Sequence, residues 1–310
     1  MCIGGYPIMS TFHDCPLTMT VQTRRHAIRR FALAIAASAS LTAFSSFSHI
    51  AYAADPVSLS DAIAGPQRSD ANRARDAYRH PAQTLTFFGL TDRQTVIEIA
   101  PGAGWYTEIL APYLSAHGKL YEAPYVESDA QSAAHLAPMI DRFRQKLAQD
   151  PADYSGVTVG ALQAGRLTGV GAPGSADMVL TFRNIHNWIK DGDLDANFKA
   201  FYTALKPGGV LGVEEHRAKP GTSLAQTIVT GYVTEDFVIE HARAAGFELA
   251  GRSEINDNPR DTKDYPKGVW TLPPTYAEGN VDRARYAAIG ESDRMTLRFV
   301  KPVAAHKQQQ

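Results

Sequence analysis

Beyond residue 15 the chain has no cysteine, since Cys2 and Cys15 both precede an apolar run with the form of an export signal. A protein released from that signal is expected to have no disulfide, no thiol nucleophile and no thiolate metal ligand, while still suiting an oxidising compartment. It also lacks a basic surplus. The formal net charge is −1, and residues 1–53, with four arginines and one aspartate, carry +3 of it, which leaves −4 on the remainder. That mild acidity points away from nucleic acid as a partner. No internal repeat stands out, and no apolar run reaches the roughly 20 residues that a membrane helix requires. With 44% hydrophobic and 20% charged residues in 310, the composition fits one globular domain with a sizeable core and room for an appendage.

What is present begins with the signal. Arg24, Arg25, Arg29 and Arg30 precede FALAIAASASLTAF (31–44), and Ala51-Tyr52-Ala53 follows. A basic, an apolar and a small-residue segment in that order predict a signal peptide over 1–53, cleaved after Ala53. Serines and His49 interrupt the run, which argues against a stable membrane anchor. Met19, just before the basic part, is an alternative start of translation. The mature protein is thus expected to be exported, and periplasmic in a Gram-negative source.

Residues 54–89 read as a helical N-terminal appendage, with Arg73, Arg75 and Arg79 on a solvated face. Over 90–303, short apolar runs alternate with helical patterns. VIEIA (96–100), KLYEA (119–123), VTVGAL (157–162), MVLTF (178–182), VLGVEEH (210–216), FELAGRSEI (247–255) and MTLRFV (295–300) read as strands. Helical patterns cover 105–115, 136–148, 194–205 and 235–245. This alternation predicts an α/β fold, doubly wound on a mostly parallel seven-stranded sheet. Residues 256–292 are rich in turn formers without a helical pattern, so the last strand is expected to be antiparallel. A connection of that length can arch over the crevice at the strand ends, together with the appendage. The tail, 304–310, is expected to be disordered.

VIEIAPGAG (96–104) is a buried strand entering a glycine-bearing turn and then a helix. Glycines there let a ligand approach the backbone, and the helix N-terminus offers free amides. Glu98 sits near the strand end, and LKPGGVLGVEEH (205–216) follows the MVLTF strand as helix end, turn and strand. Together these resemble the first motif and the turn before strand five of class I S-adenosylmethionine methyltransferases. PGAGWYTEILAPYL (101–114), FRNIHNW (182–188) and HPAQTLTFFGL (80–90) resemble, more closely, a family of exported predicted methyltransferases.

That resemblance implies S-adenosylmethionine as cofactor, methyl transfer to a small acceptor, and a cofactor site lined by Glu98, Pro101, Gly102 and Gly104. Arg183 and Asn184, past the end of the MVLTF strand, join that set. Glu98 has an alternative role as a helix cap or a partner for a base. The sequence also departs from the pattern. Ala100 replaces the usual first glycine, and Pro124 stands where an acid normally binds the ribose hydroxyls. Glu122, two residues earlier on the same strand face, is the candidate substitute, and Gln163 is the candidate for contacting adenine.

His186 and Glu215, at neighbouring strand ends facing the crevice, are the candidate catalytic pair. His186 lies in a donor-rich loop and is suited to taking the acceptor's proton, with Glu215 orienting it or acting as base itself. Glu215, His216, His186 and His80 lack any local metal-ligand spacing, so no metal is expected. Trp105 and Tyr106 are expected to pack against the appendage. Two alternatives remain open: a non-catalytic exported binding protein that kept the fold, suggested by Pro124, and a nicotinamide-dependent oxidoreductase. Thr107 at the third glycine position of a dinucleotide fingerprint argues against the latter.

Overall fold

The structure is a computed structural model that describes residues 56–126 and 130–303. The expected signal peptide and the 304–310 tail lie outside the described residues. The appendage consists of four short helices, α1 (Leu59–Ala64), α2 (Asp70–Arg73), α3 (Asp76–Arg79) and α4 (Pro81–Phe88). Ser58 and Ser69 cap the first two through their side chains, and Pro81 opens the fourth, where no amide partner is needed.

From there the chain alternates as read: β1 (Thr95–Ile99), α5 (Thr107–Leu114), β2 (Lys119–Ala123), α6 (Ala130–Gln149), α7 (Pro151–Tyr154) and β3 (Val157–Val159). A hairpin of β4 (Ala161–Gln163) and β5 (Arg166–Thr168) intervenes before β6 (Ala176–Phe182), α8 (Ile185–Asp191), α9 (Leu194–Ala204) and β7 (Leu205–His216). The rest is α10 (Leu224–Thr230), α11 (Glu235–Ala244), β8 (Glu248–Ser253), a 3-10 turn over Gly268–Thr271, α12 (Arg283–Ile289) and β9 (Arg294–Val300).

Seven strands form one sheet in the order β3-β2-β1-β6-β7-β9-β8, parallel except for β9, which runs antiparallel to both of its neighbours. β1 is central and apolar on both faces because helices cover each side. The order reverses between β1 and β6, which places the ligand crevice beyond the C-terminal ends of those strands.

Three expectations need correction. VTVGAL is not one strand. A side chain at Gly160 would come within 2.1 Å of the Thr168 carbonyl oxygen, so the chain closes there and 161–163 pairs back on 166–168. FRNIHNW is not a loop beyond its first residues, since α8 begins at Ile185. The 256–292 segment contains a helical turn and α12, short elements that pack Val269, Leu272 and Tyr286 into a separate small core with Tyr232 and Tyr265.

Candidate functional site

β1 delivers the chain into a tight turn. Ala100 has φ +49° and Gly102 φ +60°, both left-handed, and a Cβ added at Gly102 would meet nothing within 4 Å. Gly104 also has a positive φ, but its Cβ would stand 2.9 Å from Phe143 Cε2, so that glycine makes room for α6 rather than for a ligand. Ala100, Pro101 and Gly102 form the wall between two cavities, and Asn184 and Asn187 complete that wall.

The first cavity, about 290 Å³, lies over the ends of β1 and β2. Pro124 and Tyr125 line it, and so does Asp191 at the end of α8. The Tyr125 hydroxyl donates to Asp193 Oδ2 at 2.9 Å and to Asp191 Oδ2 at 3.2 Å. A carboxylate therefore reaches this cavity from α8, while Pro124 directly follows β2. Nothing in the local pattern marks Asp191, which lies 67 residues downstream of Pro124 and outside every strand and helical pattern of the sequence. Gln163 is exposed on the hairpin and lies outside both cavities.

Glu122 lies outside them too, fully buried and directly across from Glu98 on the paired strands. Burial, then the adjacent Glu98, holds its carboxyl well above the usual range. Neither Glu122 oxygen has a hydrogen-bond partner among the described residues, so the neutral, protonated form is the one that burial favours. Glu98 accepts from Thr107 Oγ1 at 2.8 Å, and burial pushes it up to about 7 against that hydrogen bond. Of the two, only Glu98 reaches a cavity, the second.

The second cavity, about 370 Å³, extends from the glycine turn to the 3-10 turn of the insertion. At its base Asn184 Nδ2 donates to the Ile99 carbonyl at 3.1 Å and to Thr181 Oγ1 at 3.2 Å, tying the ends of β1 and β6 together. His186 follows in the first turn of α8, with Nδ1 3.0 Å from Glu215 Oε1. Glu215 is fully buried and also accepts from the backbone of Ile185 at 2.6 Å and of His216 at 2.8 Å. The carboxylate thus fixes Nδ1 as the protonated nitrogen and turns Nε2 away from it.

The His216 ring centre is 5.4 Å from that of His186, and its Nδ1 meets Ser292 Oγ at 2.5 Å. Burial, with His186 and nearby arginines adding to it, holds His216 well below the usual histidine range. Ligand atoms of His186, Glu215 and His216 lie within 4.8 Å of one another, while His80 turns to Asn256 instead. Both Glu215 oxygens are already engaged by amides and the imidazole, so the arrangement is that of an oriented base before it is a metal cage.

Arg79, expected on a solvated face, is instead buried. Arg79 is 5% exposed, stacks 4.7 Å over Trp105 and donates from Nε to Glu291 Oε2 at 3.1 Å. Arg75 donates to Glu291 Oε1 at 2.6 Å. Arg183, in the left-handed turn before α8, donates to Glu214 Oε1 at 2.6 Å, and Arg294 bridges Glu214 and Glu291. Their charges hold Glu291 down at about 2 despite burial, and Glu214 below the usual range. Trp105 packs on the appendage as expected, with Nε1 donating to the Asn72 carbonyl.

The sheet order, with its reversal at β1/β6 and antiparallel β9 inserted before β8, is the fold of class I methyltransferases. Among solved structures the chain is similar to the 4+2 cyclase SpnF, at 18% identity over 79% of this chain and 92% of that one, with a TM-score of 0.50. It is also similar to a SAM-dependent methyltransferase from Aquifex aeolicus, at 14% identity over 74% and 93%, with a TM-score of 0.49. No protein-family model and no curated protein matches the chain. At these identities the likeness is one of fold, and fold alone does not fix the reaction.

Proposed function

We propose that the mature chain is an exported S-adenosylmethionine-dependent methyltransferase acting on a small molecule. The observation that carries this reading is the junction of two cavities at the glycine turn, with His186 oriented by buried Glu215 on the acceptor side. The residues fit the cofactor. Gly102 leaves the backbone open, Asp191 with Tyr125 would hold the ribose hydroxyls in place of the missing acid at Pro124, and Glu98 would meet the methionine ammonium. Asp191 also answers one of the grounds for a non-catalytic binder, the proline at position 124.

When bound, S-adenosylmethionine supplies an electrophilic methyl group. His186 Nε2 takes the acceptor's proton as the acceptor attacks, and Glu215 is the positioning residue that stabilises the imidazolium. Calorimetric titration of the mature protein tests the cofactor. S-adenosylmethionine and S-adenosylhomocysteine should each saturate one site and NAD should not, and Asp191→Asn should weaken both by roughly tenfold. Binding of NAD with no binding of S-adenosylhomocysteine would overturn the reading. For export, mass spectrometry should find an N-terminus near Ala54, whereas an intact N-terminus in the cytosol would refute it.

A further inference from the structure

Three guanidinium groups, Arg75, Arg79 and Arg183, line the second cavity. Each donates a single hydrogen bond to a protein carboxylate, from Arg75 Nε, Arg79 Nε and Arg183 Nη1. Each guanidinium carries five N–H donors, so the terminal nitrogens of Arg75 and Arg79, and Nε and Nη2 of Arg183, have no partner among the described residues. Arg79 is the telling case, because its side chain is almost wholly buried while lining the cavity.

Charge leads to the same place. With Arg294, four guanidiniums surround only two carboxylates, Glu214 and Glu291. Glu215 is committed to His186 and the start of α8, and Glu98 lies toward the glycine turn. Burial, followed by the neighbouring Arg183, lowers Arg79 to about 9, which marks a cation held where another anion is wanted. Burying such a cluster with surplus positive charge is unfavourable unless a ligand neutralises it.

The other walls are flat and apolar: Trp105, Tyr106, Phe182 and Trp270. We infer that the acceptor is a small organic anion, whose carboxylate or phosphate docks on Arg75, Arg79 and Arg183 while its body lies along the aromatic walls toward His186. This rests on the second cavity being the acceptor site of the proposed methyltransferase. The other source of a matching anion is the carboxylate of the cofactor's own methionine moiety. One carboxylate would offset only one of the two surplus charges.

The test titrates the mature protein with S-adenosylhomocysteine first, then titrates the saturated complex with benzoate, phenyl phosphate and, as neutral control, benzamide. Benzoate or phenyl phosphate should bind at least roughly tenfold tighter than benzamide, the scale of a charge-assisted contact. Arg75→Gln is the variant of choice because Arg75 is the most exposed of the three cavity-lining guanidiniums. It should lower anion affinity by roughly tenfold, with Arg75→Lys intermediate because an ammonium cannot make the forked contact. The ratio of S-adenosylhomocysteine to 5′-methylthioadenosine affinity should stay unchanged in Arg75→Gln.

No preference of the saturated complex for anions over benzamide overturns the inference. A selective loss of S-adenosylhomocysteine affinity in Arg75→Gln, with 5′-methylthioadenosine spared, also overturns it by assigning the arginines to the cofactor. Failure of S-adenosylhomocysteine to bind the parent sinks the methyltransferase reading separately, and anion titration of the free protein then still reports on the arginines.

Discussion

Glu98 and Glu122 face each other at the paired positions of β1 and β2, buried among apolar neighbours, and on the proposed reading this residue-scale feature makes cofactor binding depend on pH. Glu98 ionises near 7, so below that pH it must lose a proton before it can hold a methionine ammonium. Affinity for S-adenosylhomocysteine should therefore fall about tenfold between pH 7 and pH 5.5, with a proton released on binding. In the free protein the sign is opposite. A carboxyl raised from 4.5 to about 7 contributes stability that is full below 4.5 and is lost as pH rises through 7. Calorimetry in two buffers of different ionisation enthalpy reads the proton directly, and Glu98→Gln should abolish it; a pH-independent parent would remove Glu98 from the ammonium site. The sequence made Glu98 legible as an acid ending a buried strand. It could not show that Glu122 would face it instead of a ribose, since that depends on pairing register.

At the scale of elements, α8 and β7 form a unit. The Glu215 carboxylate at the end of β7 receives the first amides of α8, so the same group that starts the helix aims His186. Glu215→Gln is expected to destabilise the protein by about 1–3 kcal/mol, the scale of a weakened buried charged hydrogen bond. It should also reduce the population of His186 protonated at Nδ1, which imidazole nitrogen shifts report by NMR. With any acceptor that the cofactor complex methylates, His186→Ala should lower turnover by about 100- to 10,000-fold. Adding Glu215→Gln should lower it little further, because residues acting as a unit do not contribute additively. An additive double variant would separate the two roles. Seven strands and the antiparallel end were readable because β-branched runs, turns and helical periods agree locally. The hairpin at 161–168 was not, because what breaks the strand at Gly160 is the Thr168 carbonyl, a contact invisible to local pattern.

Across the whole molecule, the appendage and the insertion are held together over the second cavity by charges far apart in the chain. Glu291, at the end of the insertion, takes Arg75 and Arg79 from the appendage and Arg294 from β9, while Asn256 Nδ2 donates to Thr84 Oγ1 at 3.0 Å. Such pairing was illegible in one sequence, where the same arginines fit a solvated helix face. It has a measurable consequence. Glu291 titrates at about 2 in the folded chain against 4.5 ordinarily, so its stabilisation is present above 4.5 and is lost as pH falls toward 2. A shift of that size in a buried group corresponds to about 3 kcal/mol at neutral pH. Glu291→Gln should cost about that much at pH 7, because three guanidiniums lose a shared counter-charge, and progressively less toward pH 2 as the parent's own carboxyl protonates. Urea unfolding of parent and variant at pH 7, 4 and 2.5 measures the difference. An offset that stays constant over this range would mean that Glu291 contributes by shape and hydrogen bonding, with its charge playing no part in closing the cavity.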